Sequence, residues 1–187
     1  KINVLVLLRS IILSSSTAIS VGAFQLKTSS TIRGINKVDL HDFLATPTNW
    51  PDIVASSASV KRSSFSPNRI DVPLKVGDYV EEVFGLPPLL PLSVVWQCTK
   101  ADPSRGNLEF SSEDDVGLGV PLLVKRCKMI FSISECVDSK DVSCTVDFKM
   151  EFEPVNPIVF AGVPLLNIDN ELALKVLLPT AIKKRQY

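Results

Sequence analysis

Histidine is almost missing from this chain: His41 is the single one in 187 residues, so any Ser-His-Asp or Cys-His scheme has to run through that position. Cysteine is sparse as well. Cys98, Cys127, Cys136 and Cys144 show none of the paired CxxC spacing of zinc and redox sites, and without further histidines a metal centre lacks ligands. Cys98, Cys127 and Cys144 fall on strand positions among apolar companions, where a cysteine serves as a small hydrophobe; disulfides are the alternative. Net charge is also lacking, since 20 Lys and Arg balance 20 Asp and Glu at a pI near 6.8. No overall field gathers nucleic acid or an acidic surface from a distance. Gly117-Leu118-Gly119 leads into Pro121 rather than a helix start and is not a phosphate loop. The chain has no internal repeat and no Asn-x-Ser/Thr acceptor.

What is present is apolar material in quantity, 45% against 21% charged, enough for one globular domain with a substantial core. The first 23 residues differ from the rest: Lys1 precedes the apolar run Ile2 to Leu8, then come Arg9, Ile11 to Leu13, a serine-rich stretch and the small-residue site Val21-Gly22-Ala23. This pattern predicts a targeting presequence over 1–23 and a domain over 24–187. Arg9 breaks the apolar run well short of the roughly 20 residues a spanning helix needs. The missing initiator Met implies a start inside a longer precursor. Removing the segment takes away Lys1 and Arg9 and no acid, leaving 18 basic against 20 acidic residues and a mildly acidic domain. Phe24 directly after Ala23 resembles the bipartite plastid presequences of diatoms and related algae. That resemblance implies entry to the secretory route and a plastid destination; ordinary secretion is the alternative.

From Val142 to Glu153 the alternation has no slip: Val142, Cys144, Val146, Phe148, Met150 and Phe152 share one face, and Ser143, Thr145, Asp147, Lys149, Glu151 and Glu153 the other. A half-buried antiparallel strand follows. Leu26 to Ile35 forms an opening strand. Asn36 then caps a helix with the stripe Leu40, Phe43 and Leu44, stopped by Pro47. Thr48 or Asn49 caps a second short turn carrying Trp50, Ile53 and Val54, with Pro51 near its first position. Turn-forming clusters separate further strands near Ala58–Phe65, Tyr79–Phe84, Leu92–Lys100, Leu108–Ser112 and Leu122–Ser134, in an antiparallel meander. A helix from Leu165 to Lys184 closes the chain, with Leu165, Ile168, Leu172, Val176 and Leu177 expected over the sheet. Pro179 is expected to kink or end it. Lys183, Lys184 and Arg185 suit a helix C-terminus as solvated charges, with an anionic membrane surface as the other reading.

The order strand, two small helices, six-strand meander and long terminal helix resembles the START-like, helix-grip superfamily that includes polyketide cyclase/dehydrase and lipid-transport proteins. Asp39-Leu40-His41-Asp42-Phe43-Leu44-Ala45-Thr46-Pro47-Thr48-Asn49-Trp50-Pro51-Asp52 is similar to its first helical segment, and Leu74-Lys75-Val76-Gly77-Asp78 to the phrase ahead of its third strand. The likeness covers about Leu26 to Arg185. A departure is Ile53-Val54, where many relatives carry a second aromatic. The resemblance implies an α+β helix-grip fold: a curved antiparallel sheet of about seven strands wrapped around the terminal helix, with two short helices after the first strand.

In such a fold the ligand space lies between sheet and helix, and parity selects Phe84, Trp96, Phe110, Met129, Phe131, Phe148 and Met150 as large inward residues. For any single one of them plain core is the more usual role, since a domain of this size needs a core whether or not it binds anything. Gly85-Leu86-Pro87-Pro88-Leu89-Leu90-Pro91-Leu92 reads as a hydrophobic lip, with Leu86, Leu89 and Leu90 available to a membrane surface; Val120-Pro121-Leu122-Leu123 and Val163-Pro164-Leu165-Leu166 are similar segments, and all can instead fold onto the core. The catalytic candidates are few: His41 beside the buried helix stripe, and Lys125, which shares inward parity with Leu123 and Cys127. The leading expectation is a carrier or sensor of a hydrophobic small molecule, of the lipid, pigment, isoprenoid or polyketide class, needing no cofactor. A cyclase- or dehydratase-type enzyme using the same cavity and an interaction module with a filled pocket are the alternatives.

Overall fold

The computed structural model describes residues 23–65, 69–84, 92–113, 117, 120–137 and 142–185. The expected presequence up to Gly22 and the leucines of the expected lip, Leu86, Leu89 and Leu90, lie outside the described residues. Seven strands form one sheet: β1 (Phe24–Arg33), β2 (Ser57–Arg62), β3 (Tyr79–Phe84), β4 (Leu92–Asp102), β5 (Asn107–Ser112), β6 (Val124–Val137) and β7 (Val142–Pro154). Their order is β1-β7-β6-β5-β4-β3-β2, so the meander is closed on one side by the first strand pairing with the last. The β1–β7 ladder runs without a break from Phe24↔Phe152 to Arg33↔Ser143. The alternation along β7 is realised: Cys144, Val146, Phe148 and Phe152 are buried while Asp147 is exposed. Register shifts at Ser57/Ser59, Cys98/Lys100 and Lys125/Lys128 introduce the bulges by which such a sheet bends.

Helices α1 (Lys37–Ala45) and α2 (Trp50–Ile53) follow β1. Asn36 caps α1 as its sequence position predicts, its Oδ1 accepting from the Asp39 amide at 2.8 Å. Asn49 does not cap α2. Its side chain turns back instead, donating to the Phe43 carbonyl at 2.7 Å, while the Trp50 indole donates to the Leu44 carbonyl at 2.9 Å. These bonds occupy carbonyls at the α1 C-terminus that have no partner within the helix.

The terminal helix α3 consists of Val159–Leu172, a π-helical turn Ala173–Leu177 and Leu178–Arg185. It starts earlier than expected and contains Val163-Pro164-Leu165-Leu166, which is therefore helix and not a loop. Pro179 neither ends nor interrupts it, because the wide turn immediately before absorbs the missing backbone donor and the ring. The expected sheet-facing stripe is also corrected. Leu165, Ile168, Leu172 and Val176 are 70%, 61%, 37% and 51% exposed, whereas Ala173, Leu174, Leu178 and Ile182 are buried. The helix is apolar on nearly every side, so spacing alone does not choose its face, and the π turn shifts the phase midway. Arg185 is not a freely solvated charge: it donates to Asn49 Oδ1 and lies 4.7 Å over the Phe43 ring, tying the end of α3 to α1.

Candidate functional site

The inner face of the sheet divides into two regions. Under α1, α2 and the second part of α3, the interior is solid: Trp96 and Phe110 are 1% and 0% exposed, and Phe110 meets Trp50 edge to face with centroids 5.2 Å apart. Two of the expected ligand-facing residues, Trp96 and Phe110, are therefore sealed into the core. Under Val159–Leu172 the arrangement is different, because that apolar stretch has no fully buried residue. On the inward rows of β1, β6 and β7, Leu26, Met129, Phe131 and Met150 pack against the core yet remain partly exposed, while Phe148 and Phe152 beside them are buried. Phe131 lies against the more deeply buried Phe148 at 4.8 Å, and the Met150 sulfur lies 4.0 Å from the Asn170 amide nitrogen of α3. Thr28, on the inward row of β1, has a buried hydroxyl oxygen without a hydrogen-bond partner. Phe84 is half-buried at the end of β3.

The polar candidates fall elsewhere. His41 is 2% exposed and fills a structural position, with Nδ1 3.3 Å from Asp42 Oδ1 and Nε2 3.3 Å from the Asn107 carbonyl of β5. Lys125 is exposed, contrary to its inward parity. Arg126 adopts φ 51° in a bulge, Lys125 then pairs with Glu153 on the outward row, and the alternation resumes inward only at Cys127. The cysteines are free, and burial pushes the Cys98 and Cys144 thiols up to about 11, which leaves them unreactive at neutral pH.

Parity arguments limited to apolar residues miss Glu82. It sits between Val80 and Phe84 on the inward row of β3, and it is 2% exposed. Its Oε2 accepts from the Trp96 indole at 2.9 Å. Burial pushes its carboxyl from about 4.5 up to about 7; the nearby Ser57 hydroxyl and the Trp96 donor pull it down, and the negative charge of Asp169 on α3 pushes it further up. Ser57 is 6% exposed, and although it lies near enough to favour the carboxylate, its oxygen has no bond of good hydrogen-bonding geometry. Asp169 is itself held by the Ser56 hydroxyl at 2.6 Å. The sequence signal was available: an acid in phase with two apolar inward neighbours.

A separate open groove of about 560 Å³ runs along the outer face of β1, β7 and β6, lined mainly by Lys27, Ser29, Ile130, Ser132, Asp147 and Lys149. Among the described residues no cluster of three or more His, Cys, Asp or Glu is placed to hold a metal, and no helix is long and apolar enough to cross a membrane.

No family model and no curated protein matches the chain. Solved structures do. XoxI from Bacillus cereus superposes with a TM-score of 0.62 at 13% identity, covering 87% of this chain and 98% of its own. Norcoclaurine synthase from Thalictrum flavum, in complex with dopamine and hydroxybenzaldehyde, gives 0.61 at 14% identity over 94% and 96%. Major latex-like protein 151 from Panax ginseng gives 0.54 at 14% identity over 81% and 95%. The chain has the START-like helix-grip fold. Within that fold, Val159–Leu172 is the stretch of the terminal helix that has no fully buried residue.

Proposed function

We propose that the protein binds an apolar or amphipathic small molecule, and carries or senses it, between the β1–β7–β6 wall and the first stretch of the terminal helix. One observation carries this reading: Leu26, Met129, Phe131 and Met150 lie on the inward row of the sheet and remain partly exposed, and no residue of Val159–Leu172 is fully buried. Side chains on two facing apolar walls are ordinarily buried against each other, and a guest of matching shape would supply the missing cover. The two methionines make that wall adaptable in shape. Mass spectrometry of organic extracts from the natively purified protein should reveal a retained hydrophobic compound. The neutral fluorescent probe N-phenyl-1-naphthylamine should bind the stripped protein, and Phe131→Ala should weaken it roughly tenfold, about the contribution of one apolar side chain. No retained compound together with no probe binding overturns the reading.

A second reading, an enzyme of the cyclase or dehydratase type, is favoured by Glu82. A carboxyl near neutrality inside an apolar interior is the kind of group that gives and takes protons at physiological pH. Neither His41, with both ring nitrogens engaged, nor the exposed Lys125 serves that role as well. Turnover lost in Glu82→Gln with ligand affinity kept would support it.

A further inference from the structure

The terminal helix carries an apolar stripe on the side turned away from its buried residues Ala173, Leu174 and Leu178. Ile158, which caps the helix, then Ala161, Leu165, Ile168 and Leu172 follow one another at alternating steps of three and four, and all are exposed. The π-helical turn after Leu172 adds one residue, so Val176 continues the row where residue 175 would stand in a regular helix. This is the a/d spacing of a helix that meets another helix, whereas a solvated face carries polar side chains at such positions. No charged residue occurs between Glu153 and Asp169. Gly162, beside the stripe, agrees with a covered face. Glycine weakens a helix relative to alanine, yet a Cβ at Gly162 would meet no neighbouring atom of the described residues within 4 Å, so no contact inside the chain requires it. A second backbone passing close by does.

The row is complementary to itself when reversed. In an antiparallel pair of these helices Leu165 meets the partner's Ile168, the small Ala161 receives the partner's Leu172, and Ile158 lies against the partner's Val176, each pair occurring twice about a two-fold axis. The flanking acids Asp169 and Glu171 then lie beside the partner's Gly162 and Pro164, so like charges do not face each other across the seam. The five branched side chains of the row leave on the order of 500 Å² of apolar surface in water, and with Phe160 and Pro164 beside them the face approaches the roughly 600 Å² per partner at which specific interfaces begin. A lipid surface fits less well. Helices that lie on membranes carry Lys and Arg along their polar edge, but this stripe is edged by acids, and Lys175 is paired with Glu171 at 3.2 Å.

We propose that this face joins two copies of the chain in a two-fold, antiparallel helix pair centred between Leu165 and Ile168. The proposed small-molecule pocket uses the opposite side of the same helix, so the two readings stand or fall separately. Association through a face of this size adds little to fold stability at comparable chain concentration.

The test is sedimentation velocity of the full chain, which is expected to pass from monomer to dimer between about 1 and 100 µM. Leu165→Lys and Ile168→Glu each set a charge against an apolar residue of the partner, and each alone is expected to weaken the dimer at least tenfold. Mixed in equal amounts, the two variants are expected to associate again, because the antiparallel register brings the introduced ammonium against the introduced carboxylate. Both positions are mostly in water in the single chain, so circular dichroism should show the fold unchanged. A wild type that stays monomeric throughout overturns the inference, and so does a dimer that both variants leave intact. Variants that do not associate on mixing overturn the register and the inference with it. A monomer that instead sediments with vesicles of phosphatidylcholine and phosphatidylglycerol assigns the face to a lipid surface and also overturns it. Should a variant fail to fold, the wild type decides: amide hydrogen exchange over Val159–Leu172 must slow as concentration rises through the same range, and unchanged exchange overturns the inference.

Discussion

The two halves of the grip are built from the same residue types and differ in closure. The β2–β5 half, capped by α1, α2 and Leu174, Leu178 and Ile182 of α3, is packed shut around Trp96 and Phe110. The β1–β7–β6 half lies under a helix stretch that is at least as apolar, yet none of that stretch is fully buried. The difference comes from anchoring. The far end of α3 is fastened through Arg185 to Asn49 and Phe43, while the first stretch touches the rest of the fold through Phe160 against Phe24 at 5.4 Å, Asn170 beside Met150 and Asp169 held by Ser56. Hydrophobicity alone does not fill an interior; the connections that hold two surfaces together decide where it closes.

The largest expected effect tests the closed half. Phe110→Ala should cost roughly 3–5 kcal/mol of stability by urea unfolding, because a fully buried ring leaves a cavity its neighbours cannot refill. A cost below about 1 kcal/mol would mean that half is as loosely filled as the other. The next concerns Glu82, the polar group set into that same half. Between its ordinary value near 4.5 and its folded value of about 7, the folded chain keeps a proton that the unfolded chain has released, so stability falls as pH rises through this window. The loss amounts to about 3 kcal/mol by pH 8, at 1.36 kcal/mol per pKa unit. Glu82→Gln should match the wild type near pH 4 and exceed it by about that amount at pH 8; parallel stability curves would show that burial does not raise this carboxyl. The smallest effect belongs to the open half's outer surface, where Leu165→Ser with Ile168→Ser should change stability by less than about 1 kcal/mol, since both side chains are already mostly in water. A larger loss in thermal melts would show that this helix face is covered in solution.

Much of the fold was legible because strands report their faces with a period of two. The row Val142, Cys144, Val146, Phe148, Met150 and Phe152 needed nothing beyond the residues themselves. The helix α1 was equally clear, since Asn36 and Pro47 mark its ends chemically. The terminal helix was legible as an element and not in its orientation: with Leu165, Ile168, Leu172 and Val176 on one side and Leu166, Leu174, Leu178 and Ile182 on another, tertiary anchoring chose the face and a π turn shifted the phase. The candidate site was half legible. Inward aromatics and methionines were identified, but which of them are sealed depends on what lies above them, as Phe110 beneath Trp50 shows. Glu82 escaped because an acid in an apolar row is expected to face water, and its alternation with Val80 and Phe84 was the contrary signal.

The bulge at Arg126 has an effect well beyond its own backbone. In an unbroken ladder Lys125 would share the inner side with Cys127, and its ammonium would sit on the same side of the sheet as Glu82 and Asp169. With Arg126 at φ 51°, that cation is turned to the outer surface instead. A single left-handed residue in one strand thus decides which face of the sheet a cation occupies.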